Sequence, residues 1–179
     1  NSEKQFKRFL DAYGEDLLYL NEAQIELCIK APLNISVNLF KAISNEKIKD
    51  SIYLYFLKQL QENKINSTDI KALNQYLTID INSALETFRE DPKRKKDKLI
   101  FYFKLALALN TELNDSIITK VYSTKDEDIF LSLIEVLYKQ GKLAPKNMLI
   151  KILKSDLFRF YLFRLIEKYQ INTELITKR

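Results

Sequence analysis

LNDSIITKVYSTKDEDIFLSLIEVLYKQGKLAPKNMLIKILKS, residues 113–155, is the stretch that decides the fold. It opens on Leu113-Asn114, runs through a long apolar segment at 125–140, reaches Leu143-Ala144 and begins a shorter apolar segment. Asn114 suits an N-cap, because its side-chain oxygen can accept from the free N–H groups of a first helical turn. Leu113 then precedes the cap and Ile118 follows it by four, which are the two apolar positions of a hydrophobic staple. Leu143, Ala144 and Met148 repeat that arrangement 30 residues on. Apolar residues recur at three and four, never in alternation, which predicts helix and no strand.

The same signature recurs outward from this stretch, at Leu33-Asn34, Ile65-Asn66 and Ile171-Asn172. The staple partner is Ile70 after Asn66 and Ile176 after Asn172, and only Asn34 lacks one, with Asn38 in that place. The five caps are spaced 32, 48, 30 and 28 residues apart. The long interval divides into one unit and a surplus over 78–96, read as an extra capped segment (Asp80, then Ile81, Leu85 and Phe88) followed by the break EDPKRKKDK at 90–98. A longer apolar helix is predicted before each staple, near 16–31, 46–63, 94–110, 125–140 and 156–170, with a shorter one after it. At the N-terminus Phe6, Phe9, Leu10 and Tyr13 share a helical face, with Ser2 as cap and Gly14 just past the end.

A two-helix unit recurring at about 30 residues is the sign of a helical solenoid. The fold expected is all-α, a right-handed αα-hairpin superhelix of about five two-helix repeats with one insertion. It forms one domain over 1–179. The N-terminal helix is 1–14, the repeats are 15–45, 46–78, 93–123, 124–154 and 155–179, and the insertion is 79–92. Because the chain starts at Asn1 and stops a few residues after its last cap, it is expected to be part of a longer chain.

This period and pattern resemble the αα-hairpin helical-repeat class that includes HEAT, tetratricopeptide and clathrin-type repeats. The resemblance covers 15–179. The tetratricopeptide consensus of Trp, Leu-Gly, Tyr, Ala and Pro is absent, and the period is shorter than that family's ~34 residues or the ~40 of HEAT units. Clathrin-type repeats are nearest in length. What the resemblance implies is a scaffold.

Composition narrows the chemistry. The 179 residues include two glycines, three prolines, one cysteine, no histidine and no tryptophan. Without histidine there is no Ser-His-Asp or Cys-His relay and no histidine metal site. Gly14 and Gly141 cannot make a glycine-rich phosphate loop. Cys28, set among apolar residues, reads as an inert core thiol, and one cysteine allows no internal disulfide. An intracellular, reducing compartment is expected. The longest apolar run, Leu99 to Leu109, is broken by Lys104 and falls short of the ~20 residues a membrane helix needs, so no membrane insertion is expected.

Two groups of residues remain as candidate binding sites. The first is apolar: Phe158, Phe160, Tyr161 and Phe163 lie on the 156–170 helix, whose apolar residues cover most of its circumference. Core packing accounts for the other aromatic clusters, Phe130 included, but a terminal helix can leave such a face open to a partner. The second is basic. The net charge of +5 is uneven: Lys139 to Arg179 carries ten Lys/Arg against three carboxylates, a local +7, leaving −2 for the rest. Lys93, Arg94, Lys95 and Lys96 follow Pro92 at a helix start, where positive charge opposes the helix dipole. Lys151, Lys154, Arg159, Arg164 and Lys168 form paired basic faces further on. The acidic cluster Asp126-Glu127-Asp128 reads as a helix start, with Thr124 and Glu127 as a capping box.

The expected function is a non-enzymatic scaffold that binds another protein. The alternative is a solenoid that binds a DNA or RNA backbone with its basic C-terminal third. No catalytic residue, cofactor, metal or small-molecule substrate is expected.

Overall fold

The computed structural model describes residues 46–62, 64 and 67–172. Among the described residues the chain is helix and turn with no strand. Its elements are α1 (Glu46–Gln61), α2 (Ser67–Glu86), α3 (Pro92–Leu109), α4 (Asp115–Thr124), α5 (Glu127–Lys139), α6 (Lys146–Leu153) and α7 (Asp156–Lys168). The chain divides into two compact units, Asn1–Leu73 and Asn74–Arg179. The expected N-terminal helix, the 15–45 repeat, Cys28, the caps at Asn34 and Asn66, and the last staple partner Ile176 lie outside the described residues.

In the first unit α1 turns Ile52, Tyr53 and Phe56 inward and leaves Leu54 exposed. That is the one-sided stripe of an amphipathic helix.

The second unit begins within α2, which runs without interruption to Glu86. Asp80 therefore lies inside a helix and opens no separate segment, contrary to the sequence reading of the surplus. The reason is a buried stripe at Leu77, Ile81, Ala84, Leu85 and Phe88 that passes straight through this point. The cap-type residues here bond back along their own helix. Thr78 Oγ1 donates to the Asn74 carbonyl at 2.8 Å, and Asn82 Nδ2 donates to the Thr78 carbonyl at 3.0 Å. Such local bonds are how Thr and Asn are accommodated mid-helix.

α3 starts as its sequence suggests. Pro92 occupies the first turn, where no N–H is needed, and Asp91 caps it by accepting from the Arg94 N–H at 3.2 Å. Asn110 ends it in the left-handed conformation. α4 is capped by Asn114, whose side chain accepts from the Ile117 N–H at 3.0 Å, and Leu113 before it is buried. α5 is capped by Asp126, which accepts from the N–H groups of Asp128 and Ile129, and not by Thr124. Thr124 closes α4 instead, donating to the Val121 carbonyl at 2.7 Å. α6 is entered through Pro145 with no side-chain cap, one residue later than Ala144. Ala144 and Leu149, the two staple positions for a cap at Pro145, are both buried there, a register one residue later than the sequence reading.

Left-handed turn residues are supplied by Asn110, Lys125 and Gln170 as well as Gly141. Glycine is scarce because other residues take the conformation it usually serves.

α5 is the centre of the unit. It packs against α3, α4, α6 and α7, and it buries Ile129, Phe130, Leu133, Ile134, Val136, Leu137 and Tyr138. A polar strut crosses beside it. Buried Thr111 donates through Oγ1 to Asn74 Oδ1 at 2.6 Å, while Gln140 Nε2 donates to the Thr111 carbonyl at 2.6 Å. These bonds tie α2, the α3–α4 turn and the end of α5 together.

Candidate functional site

α7 presents the apolar candidates. Ser155 caps it, accepting from the Phe158 N–H at 3.4 Å. Leu162 is its one buried side chain, and residues four before and three after it, Phe158 and Leu165, are half-buried on the same inward side. Phe158, one of the candidates named from the sequence, is thus turned toward α7's packed side. The outward face carries Leu157 at 61% exposure, Phe160 at 64%, Tyr161 at 51% and Phe163 at 47%. Ile150 and Leu153 of α6, which packs against α7, are also exposed. Leu157, Phe160, Tyr161 and Phe163 together make one side of α7 an exposed apolar face.

Three of the basic candidates, Lys96, Arg159 and Lys168, pair with carboxylates within the protein. Lys96 reaches from α3 to the α5 cap, pairing with Asp126 at 3.2 Å and with Asp128. Its bond to Asp128, seconded by Asp126, raises the Lys96 pKa above the ordinary lysine value, against the opposing effect of burial. Lys96 of the basic run and Asp126 and Asp128 of the acidic cluster therefore form a clip between α3 and α5. The positive charges at the start of α3 are offset by the Asp91 cap and this clip. Lys93 and Arg94 are exposed beside it and Lys95 is half-buried.

On α7, Lys168 pairs with Glu135 of α5 at 2.8 Å, and Tyr169 Oη donates to the same carboxylate at 3.2 Å. The Glu135 bond raises the Lys168 pKa. Arg159 pairs with Asp156 at 3.3 Å and lies 5.6 Å from the centroid of the Phe160 ring. Arg164 is exposed and meets no carboxylate among the described residues.

Sequence reasoning missed one feature altogether. A cavity of about 420 Å³ is lined by Arg89, Tyr122, Ser123, Lys125, Phe130 and Lys151. These residues come from four separate places in the chain, and no motif joins them. The one available signal was Lys151, read from the sequence as part of a basic face with Lys154.

Among the described residues no group of three or more carboxylates, cysteines or histidines is placed to hold a metal ion. No described helix is long and apolar enough to cross a membrane. Among the described residues Tyr138 is the group whose pKa departs furthest from its ordinary value. Burial pushes its phenol up to about 12, the wrong direction for a general base at neutral pH.

No protein family matches this chain, and no curated protein or solved structure matches it either.

Proposed function

We propose that this chain is a helical-repeat scaffold that binds another protein through the outward face of α7. The observation that carries this reading is the exposure of Leu157, Phe160, Tyr161 and Phe163 on a single helix. Large aromatic side chains in a cluster are the groups that dominate protein interfaces when a partner buries them. The flanking Arg159 and Arg164 supply the polar rim such a face needs.

A right-handed αα-hairpin solenoid is the architecture proposed for the scaffold. Its support is that α5 packs against both α3 and α7, the preceding and following long helices, as well as against the short α4 and α6. Long helices stacked in a row with short helices beside them make such an array. The nucleic-acid reading has less support, because three of its named cations, Lys96, Arg159 and Lys168, already pair with carboxylates of this chain.

The test compares the wild-type chain with the double variant Phe160→Glu, Phe163→Glu. Both positions are exposed, so the variant should keep its helical circular dichroism and its unfolding midpoint. Partners captured by the wild type, once purified, should bind the variant at least about tenfold more weakly, as expected for losing two interface aromatics. Equal affinity of a folded variant would overturn the α7 reading. Binding of RNA with a steep dependence on salt, unchanged in the double variant, would favour the alternative.

A further inference from the structure

We propose that the cavity bounded by the end of α2, the α4–α5 turn and α6 binds a small phosphorylated molecule bearing a planar ring, a nucleoside monophosphate in class. At about 420 Å³ it falls within the ~300–1,000 Å³ typical of small-molecule sites. Its location is separate from the α7 face, and the proposal does not depend on that face.

Three cationic residues line the cavity from three places. Arg89 lies in the turn after α2, Lys125 is the left-handed residue that ends α4, and Lys151 is on α6. None of the three meets a carboxylate among the described residues. Like charges gathered in a concave wall without a counter-ion repel one another and focus a positive potential into the space they share. An anion relieves that repulsion. A phosphate monoester carries about −1.5 to −2 charges and three acceptor oxygens, which matches three cations better than a single carboxylate does.

Lys151 is held for this role. Its ammonium donates to the Lys125 carbonyl and lies 5.0 Å from the centroid of the Phe130 ring. An ammonium has three N–H groups, so one bond to a carbonyl leaves two for an anion. The ring half of the ligand is suggested by Tyr122. Its ring stacks on buried Phe130 with centroids 6.0 Å apart and planes 16° apart, while 45% of the residue stays exposed. A braced, half-exposed aromatic surface beside three cations can stack a planar ring while the cations hold its phosphate.

The experiment is isothermal titration of the full 179-residue chain with adenosine 5′-monophosphate, adenosine, inorganic phosphate and an oligoglutamate peptide. The monophosphate should bind at one site per chain, and adenosine and inorganic phosphate each about tenfold more weakly or worse. Arg89→Gln and Lys125→Gln, both at exposed positions, should each weaken the monophosphate by about tenfold, as loss of one charged hydrogen bond does. Tyr122→Ala should weaken the monophosphate and leave inorganic phosphate unchanged. Inorganic phosphate binding as tightly as the monophosphate would overturn the nucleotide assignment. So would binding of the peptide in preference to it. Absence of binding by every probe, or binding that survives both charge substitutions in folded variants, would overturn the site itself.

Discussion

α5 and α7 are both 13 residues long, and each contains eight aliphatic or aromatic side chains. α5 buries seven residues, whereas α7 buries only Leu162. Composition does not separate them, and neither does capping, since Asp126 and Ser155 both close their first turns. The difference lies in neighbours. α5 has α3, α4, α6 and α7 around it, while α7 packs on α5 and α6. A side chain such as Leu133 gains about 1.5–3 kcal/mol from leaving water, and Phe160 at 64% exposure gains little of that. An apolar arc wider than one contact surface is core where helices surround it and an open face where they do not.

The largest effect expected from this contrast is on stability. Leu133→Ala should cost roughly 2–5 kcal/mol, through lost transfer energy and the cavity left behind. Phe160→Ala should stay within about 0.5 kcal/mol, as exposed substitutions generally do. Urea unfolding of the two variants measures both, and equal costs would break the comparison.

The caps sharpen it at a smaller scale. Asp126→Ala removes two backbone partners of α5 and one arm of the Lys96 clip, and should cost about 1–2 kcal/mol. Ser155→Ala removes a single 3.4 Å bond from α7 and should cost about 0.5 kcal/mol. Thermal unfolding that ranks the two the other way would show α7 to be the more tightly specified helix.

Next in size is the clip itself. Lys96→Met should cost about 0.5–1 kcal/mol at neutral pH, a modest value because both partners are partly exposed. The pairing raises the folded-state pKa of Lys96 above the ordinary 10.5. Its contribution is therefore complete below that value and disappears as pH rises through the higher folded value. The stability difference between Lys96→Met and wild type should vanish in strong alkali, and a constant difference would show that the ammonium does not act through Asp126 and Asp128.

The sequence made some of this legible and concealed the rest for definite reasons. Asn114 was readable as a cap because the whole motif is local, a polar side chain reaching the N–H of a residue three further on. Asp80 and Thr124 carry the same local chemistry, yet one sits mid-helix and the other closes the preceding helix. What decides between these fates is the burial of Ile81 and Leu85 in one case and competition from Asp126 in the other. Phe160 and Phe163 are exposed because no packing stripe can hold every side of a helix whose apolar residues surround it. Phe158 was named with them, and only tertiary contacts decide that it is half-buried. Arg89, Lys125 and Lys151 are 36 and 26 residues apart along the chain and meet only once the helices are stacked. The pairing of Lys96 with Asp128 and of Lys168 with Glu135 is equally long-range. A basic residue therefore reads from the sequence as part of a binding patch even where, like Lys96 or Lys168, it joins two helices.

The smallest effect at neutral pH belongs to Tyr138, at the C-terminal end of α5. Its hydroxyl is buried with no hydrogen-bond partner, a loss that an apolar side chain would not suffer. Tyr138→Phe should be as stable as wild type or up to about 1 kcal/mol more stable at pH 7, whereas Tyr161→Phe on the open face of α7 should change nothing. In alkali the effect of Tyr138 should grow. Burial places its folded-state pKa at about 12, above the ordinary 10, so the unfolded chain gives up this proton first. Wild-type stability must then fall as pH rises from 10 toward 12, and this part of the fall is removed in Tyr138→Phe. Alkaline unfolding followed by circular dichroism should place the midpoint of Tyr138→Phe at higher pH than that of wild type. Coincident curves would mean that the phenol reaches water or a partner, and that α5 is less completely enclosed than its buried neighbours indicate.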